Sequence, residues 1–427
     1  MNLAGCLQSS PGKLISAEKT KPFKLVAEEA IALSGLLKAE DRVLLWSDDV
    51  EQIVRTAAAA TVCSADLFIA HRTIPEAEIR SLISRFMITH LAQPSGLERQ
   101  NPSSGTASGS VHVMTSGTTR APKVAKHTWE SLLGTIKRTS SSEHSRWLLA
   151  FPPTSFAGLQ VVFSAALGGG DLVVPSERTM EAFAQAATEH AVSHISGTPT
   201  FWRGFLLILK DQSKLPLQQI TVGGEAVDQA TLDRLKMCFP KARITHIYAS
   251  TEAGVGFSVH DGRAGIPARW LEQGVSGVKL RVADGVLEVK SPRGLKEYAS
   301  GEATPLDSEG WLSTGDLVRQ ESDRFVFVGR TDGRLNIAGF KVTPEEVEAV
   351  LMGCEAVADV QVSGVPSPIS GQVLCASIVP SQNVNREQVK RVVQQFAYDQ
   401  LESFKVPRVI RIVDVLKITD SGKKARQ

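Results

Sequence analysis

From Phe23 to Tyr248 the chain alternates between two kinds of text, and that order restricts it to few architectures. In one kind the apolar residues recur every three or four positions, as Leu25, Val26, Ala30, Leu33, Leu36 and Leu37 do between Phe23 and Glu40, which predicts a helix. Further helical text falls at 55–62, 75–86, 159–167, 178–190, FWRGFLLIL and 228–237. The other kind is a short apolar run suited to a buried strand: VLLW, FIA, VHVM, WLLAF, DLVVP, SHIS, QITV and ITHIY. Strands and helices in alternation make layered α/β sheets. Three of the strands end in small or polar loops, GTPT, GGE and AST. Ligands of open α/β sheets lie beyond the carboxyl ends of strands, so these loops are expected to face one crevice.

The pattern changes twice. Residues 101–110, NPSSGTASGS, carry no large apolar side chain and read as a mobile loop before VHVM. Beyond Gly262 come short alternating β segments rich in glycine (VKLRVADGVLEVK, FVFVG), a small β subdomain. From Asp332 a compact α+β unit follows, with a helix at 344–352, strands ADVQVSGV and VLCASIV, a helix at 386–401 and the strand VIRIVDV. The expectation is α/β: a large N-terminal α/β domain with layered sheets and a small β subdomain over 1–331, then a small α+β C-terminal domain over 332–427.

Composition removes several function classes. The 427 residues, 42% of them apolar, can bury a full core and exceed one ordinary domain. Lys+Arg and Asp+Glu number 47 and 45, with no dense basic block, which argues against nucleic acid or an anionic membrane as partner. Cys6, Cys63, Cys238, Cys354 and Cys375 stand far apart without metal-ligand spacing and read as reduced, mostly buried thiols. With no leader-like N-terminus and no run of 18 apolar residues, a soluble cytoplasmic protein is expected.

Holding a nucleotide means binding the polyanion of its phosphates. The run Thr115-Ser116-Gly117-Thr118-Thr119 offers hydroxyls and a flexible backbone whose N–H groups can turn toward phosphate. It is not a Walker loop. Taken singly, such a run, a GGE or a TGD more often marks an ordinary turn, and a lysine near a terminus is more often solvated.

Three segments in fixed order decide otherwise: TSGTT at 115–119, GRTDGRLNIAGFKVTPEEVE at 329–348 and TDSGKKAR at 419–426. Together they resemble the adenylate-forming superfamily of acyl- and aryl-CoA synthetases, peptide-synthetase adenylation domains and luciferases. The resemblance spans 115–427; the first 110 residues share only the general pattern and are short for the family. By resemblance Thr115, Ser116, Gly117, Thr118, Thr119 and Lys123 hold phosphates, while Arg120 and Val124 replace two family glycines and stiffen the loop. Tyr248-Ala249-Ser250-Thr251-Glu252 resembles the aromatic-Gly-x-Thr-Glu segment. It implies that Tyr248 packs on adenine, Thr251 contacts the α-phosphate or the reacting carboxylate, and Glu252 holds Mg²⁺. Gly223, Gly224 and Glu225 match the adenine-side loop, and Asp316 with Arg330 the ribose contacts. Lys423 stands at the adenylation lysine, on a mobile C-terminal domain that closes over the first. Asp332 is the hinge about which Lys423 exchanges with the loop at Gly339, Phe340 and Lys341, the lining of a thiol tunnel. Ser155-Phe156-Ala157-Gly158 replaces the His-x-x-Gly of many members. Phe156, Gly158 and Trp202 are assigned to the acid pocket, where the absence of an acid over 150–160 disfavours amino acids.

The implied function is an ATP-dependent carboxylic acid–CoA ligase for an acyl or aryl acid, using ATP, Mg²⁺ and CoA through an acyl-adenylate. The alternative acceptor is the phosphopantetheine of an acyl carrier protein. A reading of another class, a non-catalytic nucleotide-binding homologue, draws on Arg120, Val124 and Ala249; joint retention of Lys423, Glu252 and Asp316 opposes it.

Overall fold

The computed structural model describes residues 1–102, 107–115, 123–139, 142, 144–209, 215–295, 297–299, 301, 306–337, 339–367, 371–382, 384–419 and 423–425. Strands Arg42–Trp46, Asp66–Ala70, His90–Gln93 and Val111–Thr115 run parallel inside a seven-stranded sheet. Antiparallel strands close its sides, Gly96–Arg99 on one and Lys123–His127 with Glu297–Tyr298 on the other. An eight-stranded sheet holds Lys13–Ile15, Asp171–Val173, Arg146–Leu148, His194–Gly197, Gln219–Gly223 and Arg243–Ser250 in parallel, flanked by antiparallel Thr20–Pro22 and Gly254–Val259. One apolar core joins the two sheets through helices Phe23–Ser34, Val50–Cys63 and Phe156–Gly168. The last of these, FAGLQVVFSAALG, is apolar nearly all round, as a helix covered on every side must be.

Local chemistry explains where the elements stop. The helix expected over 23–40 ends at Ser34, where the bonds tighten to Gly35 N–Ala32 O at 3.2 Å and Leu36 N–Leu33 O at 3.0 Å, and Leu36 is 67% exposed. WLLAF keeps only Arg146–Leu148 as strand, since Pro152 and Pro153 follow and cannot donate to a ladder. The loop read as mobile is pinned at its end: the Ser108 and Ser110 N–H groups donate to Asp66 Oδ1 at 3.0 and 2.8 Å. Of the cysteines only Cys354 and Cys375 are buried, and Cys6 is exposed. No described helix is long and apolar enough to cross a membrane.

The β subdomain is a five-stranded antiparallel sheet containing Leu312–Glu321 and Arg324–Arg330, with its own core around Phe257, Ile266 and Leu287. From Ile337 onward a separate core forms under strands Val357–Ser367, Gly371–Pro380 and Val409–Ile412 and helices Pro344–Leu351 and Arg386–Gln400. This C-terminal unit docks on helices Pro199–Ile208 and Gln229–Cys238. Arg203 Nε donates to Asp359 Oδ1 at 2.7 Å, and Arg234 donates to the carbonyls of Ala358 and Val357 at 3.1 and 3.3 Å.

Candidate active site

The three loops at the strand ends do converge. Gly223 ends its strand where a Cβ would fall 2.6 Å from Ile247 Cγ2, and Gly224 takes φ +82°, so both positions demand glycine. Thr198 caps helix Pro199–Ile208 through Phe201 N at 3.0 Å, and Ser250 Oγ accepts from Ala253 N at 2.9 Å to shape the Thr251–Glu252 turn. The ladder shifts register between Tyr248 and Ala249, a bulge of the kind that re-aims side chains beside a site.

On the β subdomain, Asp316 and Arg330 are direct cross-strand partners, with Arg330 Nη1 3.1 Å from Asp316 Oδ1. The Tyr248 hydroxyl donates to the other oxygen, Asp316 Oδ2, at 2.6 Å. Burial, and then the Asp316 charge, push the Tyr248 phenol well up, so it remains a donor. Its ring is not a free platform. It is half-buried in an aromatic row, stacked 5.2 Å from Phe257 and 5.5 Å from Phe327 and nearly parallel to both. Arg330 also reaches Asp332 Oδ1 at 3.0 Å, tying this clasp to the segment read as a hinge.

Ser116, Gly117, Thr118 and Thr119, with Arg120, lie outside the described residues. The strands on either side are described, and Thr115 pairs with Lys123 across them. Lys123 Nζ lies 5.3 Å from the centre of the Tyr298 ring, whose hydroxyl donates to Glu252 Oε1 at 3.1 Å. Among the described residues no three His, Cys, Asp or Glu side chains gather as a metal cage. Glu252 therefore fits Mg²⁺ only as an ion carried in with phosphates, the usual arrangement for that cation.

Lys423 is brought to the same place from the C-terminal unit. Its turn is closed by Thr419 N donating to Lys423 O at 2.7 Å, and Lys423 Cε stands 4.0 Å from where a Cβ on Gly224 would sit. The next residue, unnoticed in the sequence, anchors it: buried Lys424 reaches Glu348 Oε2 at 3.2 Å and Asp359 Oδ1 at 3.3 Å. Glu225, read as an adenine-side residue, is a clamp across the two units, accepting from Lys424 N and Thr200 N, each at 3.1 Å. Gly339 at φ +91°, Phe340 stacked on Phe404 at 4.5 Å, and Lys341 are all exposed.

The pocket residues divide. Trp202 is fully buried in core and spends its indole N–H on Thr221 O at 3.0 Å, so it reads as packing. Gly158 is needed for packing too, because a Cβ there would strike Pro152 O at 1.8 Å. Phe156 is buried beside His127, ring centres 5.7 Å apart. A cavity of about 350 Å³ near Lys423 is lined instead by Phe151, Phe183, Phe201, Thr198, Ile418 and Thr419, among others.

His127, His194 and His246 are each lowered to about 4, in every case chiefly by burial. Between about pH 6.5 and 4 the unfolded chain binds protons that these three rings refuse, so stability is complete above 6.5 and falls as the pH drops through that window. Each ring is expected to cost about 1.4 kcal/mol per pH unit there. Urea midpoints measured from pH 7 to 5, above most carboxylate titration, should fall steadily; a flat profile would contradict the buried neutral state.

Residues 110–294 match the AMP-binding enzyme family and residues 346–423 the AMP-binding enzyme C-terminal domain, between them more than half of the chain. The chain belongs to this family, the adenylate-forming enzymes, and is an AMP-forming acid-activating enzyme. It is 28% identical over 330 residues to the 2-succinylbenzoate–CoA ligase of Bacillus licheniformis, covering 73% of this chain and 68% of that protein. Identity is also 28% to the p-hydroxybenzoic acid–AMP ligase FadD22 of Mycobacterium tuberculosis, over 91% of this chain but only 61% of the relative. In fold it is similar to the anthranilate CoA ligase AuaEII in complex with anthranoyl-AMP, with a TM-score of 0.79 at 21% identity, covering 99% of this chain and 95% of that one.

Proposed function

We propose that the protein activates a small aromatic carboxylic acid with ATP and passes the acyl group to the thiol of CoA. One observation carries this reading: Lys423 stands over the Gly223-Gly224 loop on a turn whose next residue is buried among acids, so the ammonium is delivered and not merely nearby. Asp316 and Arg330 take the ribose. The acid's carboxylate oxygen attacks the α-phosphorus, the bond to the β-phosphate breaks, and pyrophosphate leaves. Lys423 lowers the repulsion between the two anions as they meet. Glu252 is the residue that would hold Mg²⁺, which would supply neutralising charge when bound. The C-terminal unit, 332–427, then turns about Asp332 and withdraws Lys423 from the 1–331 domain, and the exposed loop at Gly339, Phe340 and Lys341 takes its place beside the thiol. The thiol sulfur attacks the acyl carbon, losing its proton to solvent as AMP departs.

The aryl preference is drawn from the relatives and from Phe156, which meets His127 beside Thr251. Exchange of labelled pyrophosphate into ATP across a panel of benzoic, hydroxybenzoic and aliphatic acids tests it; exchange with none of them would overturn the reading. A carrier protein's phosphopantetheine is the second acceptor the same chemistry would serve, and adding CoA or a carrier protein bearing phosphopantetheine to the preformed adenylate separates the two. Asp316→Ala, which deletes a charged hydrogen-bonding group, is expected to weaken ATP binding about 10- to 100-fold. Calorimetry checks this; unchanged affinity would remove the ribose assignment.

A further inference from the structure

Tyr298 lies outside every segment by which the sequence points to nucleotide chemistry, yet it joins two of them. It belongs to the short strand Glu297–Tyr298, which adds antiparallel to Lys123–His127 with Tyr298 opposite Ala125. The segment is fastened along its length. Leu295 N donates to Glu252 O at 2.8 Å, Ala299 N donates to Val124 O at 2.8 Å, and Glu297 pairs with Lys126 at 2.9 Å. The Tyr298 side chain is thereby delivered between the strand that starts at Lys123 and the turn that carries Glu252, and only 7% of it is exposed. Its hydroxyl donates to Glu252 Oε1 at 3.1 Å, and its ring meets Lys123 Nζ at 5.3 Å.

These two contacts have different physical effects. A glutamate carboxylate turns almost freely about its last torsion, and a donor on one oxygen fixes that rotation and aims the other oxygen. An aromatic face attracts an ammonium without neutralising it. Lys123 and Glu252 carry opposite charges, and a direct ion pair between them would cancel the negative charge a metal ion needs and the positive charge phosphates need. A residue that touches both, one by hydrogen bond and one by ring face, keeps each group charged and aimed.

We infer that Tyr298 is a positioning residue for metal-bound ATP, orienting the Glu252 carboxylate and holding Lys123 apart from it. This rests on the ligase reading above. The test is ATP affinity by calorimetry on the full-length protein, with excess Mg²⁺ and with EDTA. The wild-type protein is expected to bind ATP more tightly with Mg²⁺. In Tyr298→Phe the ring remains and the hydroxyl is lost, so the Mg²⁺-dependent gain should shrink about tenfold while affinity in EDTA and the melting temperature stay unchanged. Tyr298→Leu removes the ring as well and should weaken ATP binding in EDTA too, because Lys123 is released. A Tyr298→Phe protein that keeps the whole Mg²⁺-dependent gain overturns the proposal alone. Equal weakening with and without Mg²⁺, together with a lower melting temperature, assigns Tyr298 a structural role and also overturns it. Wild-type protein that binds no ATP overturns the ligase reading, and this proposal with it.

Discussion

Replacing Lys423 by alanine is expected to slow acid-dependent pyrophosphate exchange about 100- to 1000-fold, the usual cost of removing one charge-stabilising group from a transition state. Thioester formation from a supplied acyl-adenylate should hardly change. The asymmetry follows from where the ammonium sits. Lys423 is held at a turn tip above Gly224, a glycine that leaves room for it, and in the proposed mechanism it serves the step in which two anions approach. Thioester formation brings no such pair together. The neighbouring Lys424 cannot substitute, because its ammonium is buried against Glu348, Asp359 and the Val360 carbonyl. Lys423→Ala should therefore leave the docking of the two units intact. Equal loss in both half-reactions would show that the lysine supports the fold or binds the adenylate generally, and would end its assignment to the first step.

What could be read from the chain, and what could not, follows the range of the interactions. Strands and helices between Phe23 and Tyr248 were legible because apolar spacing is a local signal, and their ends erred where the bonds tightened after Ser34 or Pro152 overrode the pattern. Asp316 and Arg330 were legible as a pair from motif spacing, and the antiparallel register is what makes them face each other. The aromatic row around Tyr248 was not legible, because Phe257 and Phe327 come from two other strands. Lys424 is indistinguishable from Lys423 in sequence; only the buried acids of the docked unit separate anchor from tip. The clamp made by Glu225 was not legible, since its partners Thr200 and Lys424 lie 25 and 199 residues away. Arg203 and Asp359 did leave a trace. Each is a lone charge inside an apolar run, FWRGFLLIL and ADVQVSGV, which signals a buried partner without saying which.

That pair supports the second large effect. Asp359→Ala is expected to undock the C-terminal unit, reducing pyrophosphate exchange about 10- to 100-fold, because removing one partner of a buried ion pair typically costs about 3–5 kcal/mol. Arg203 is 4% exposed and donates to Asp359 at 2.7 Å, to Asp228 at 3.2 Å and to Thr231 at 3.1 Å. Burial works against its charge, and Asp359 followed by Asp228 more than offsets that, so the guanidinium stays protonated. Asp359 serves Lys424 as well, so losing it leaves two buried cations at one interface with one anionic partner each, Asp228 for Arg203 and Glu348 for Lys424. In the proposed mechanism, a rotation about Asp332 that removes Lys423 would part Arg203 from Asp359, and the pair would then act as a brake on leaving the first half-reaction. Relieving it should leave thioester formation from supplied adenylate undiminished. The kinetic signature matches that of Lys423→Ala, but the conformation does not: Asp359→Ala should enlarge the radius measured by small-angle scattering and speed proteolysis around 331–334. The combined Arg203→Met and Asp359→Leu variant should regain part of the compact form, since apolar groups of similar volume can replace a buried ion pair while Lys424 keeps Glu348. A compact Asp359→Ala protein with undiminished exchange would show that the two units are held by their apolar contacts alone, and that the buried charges do not set the balance between the half-reactions.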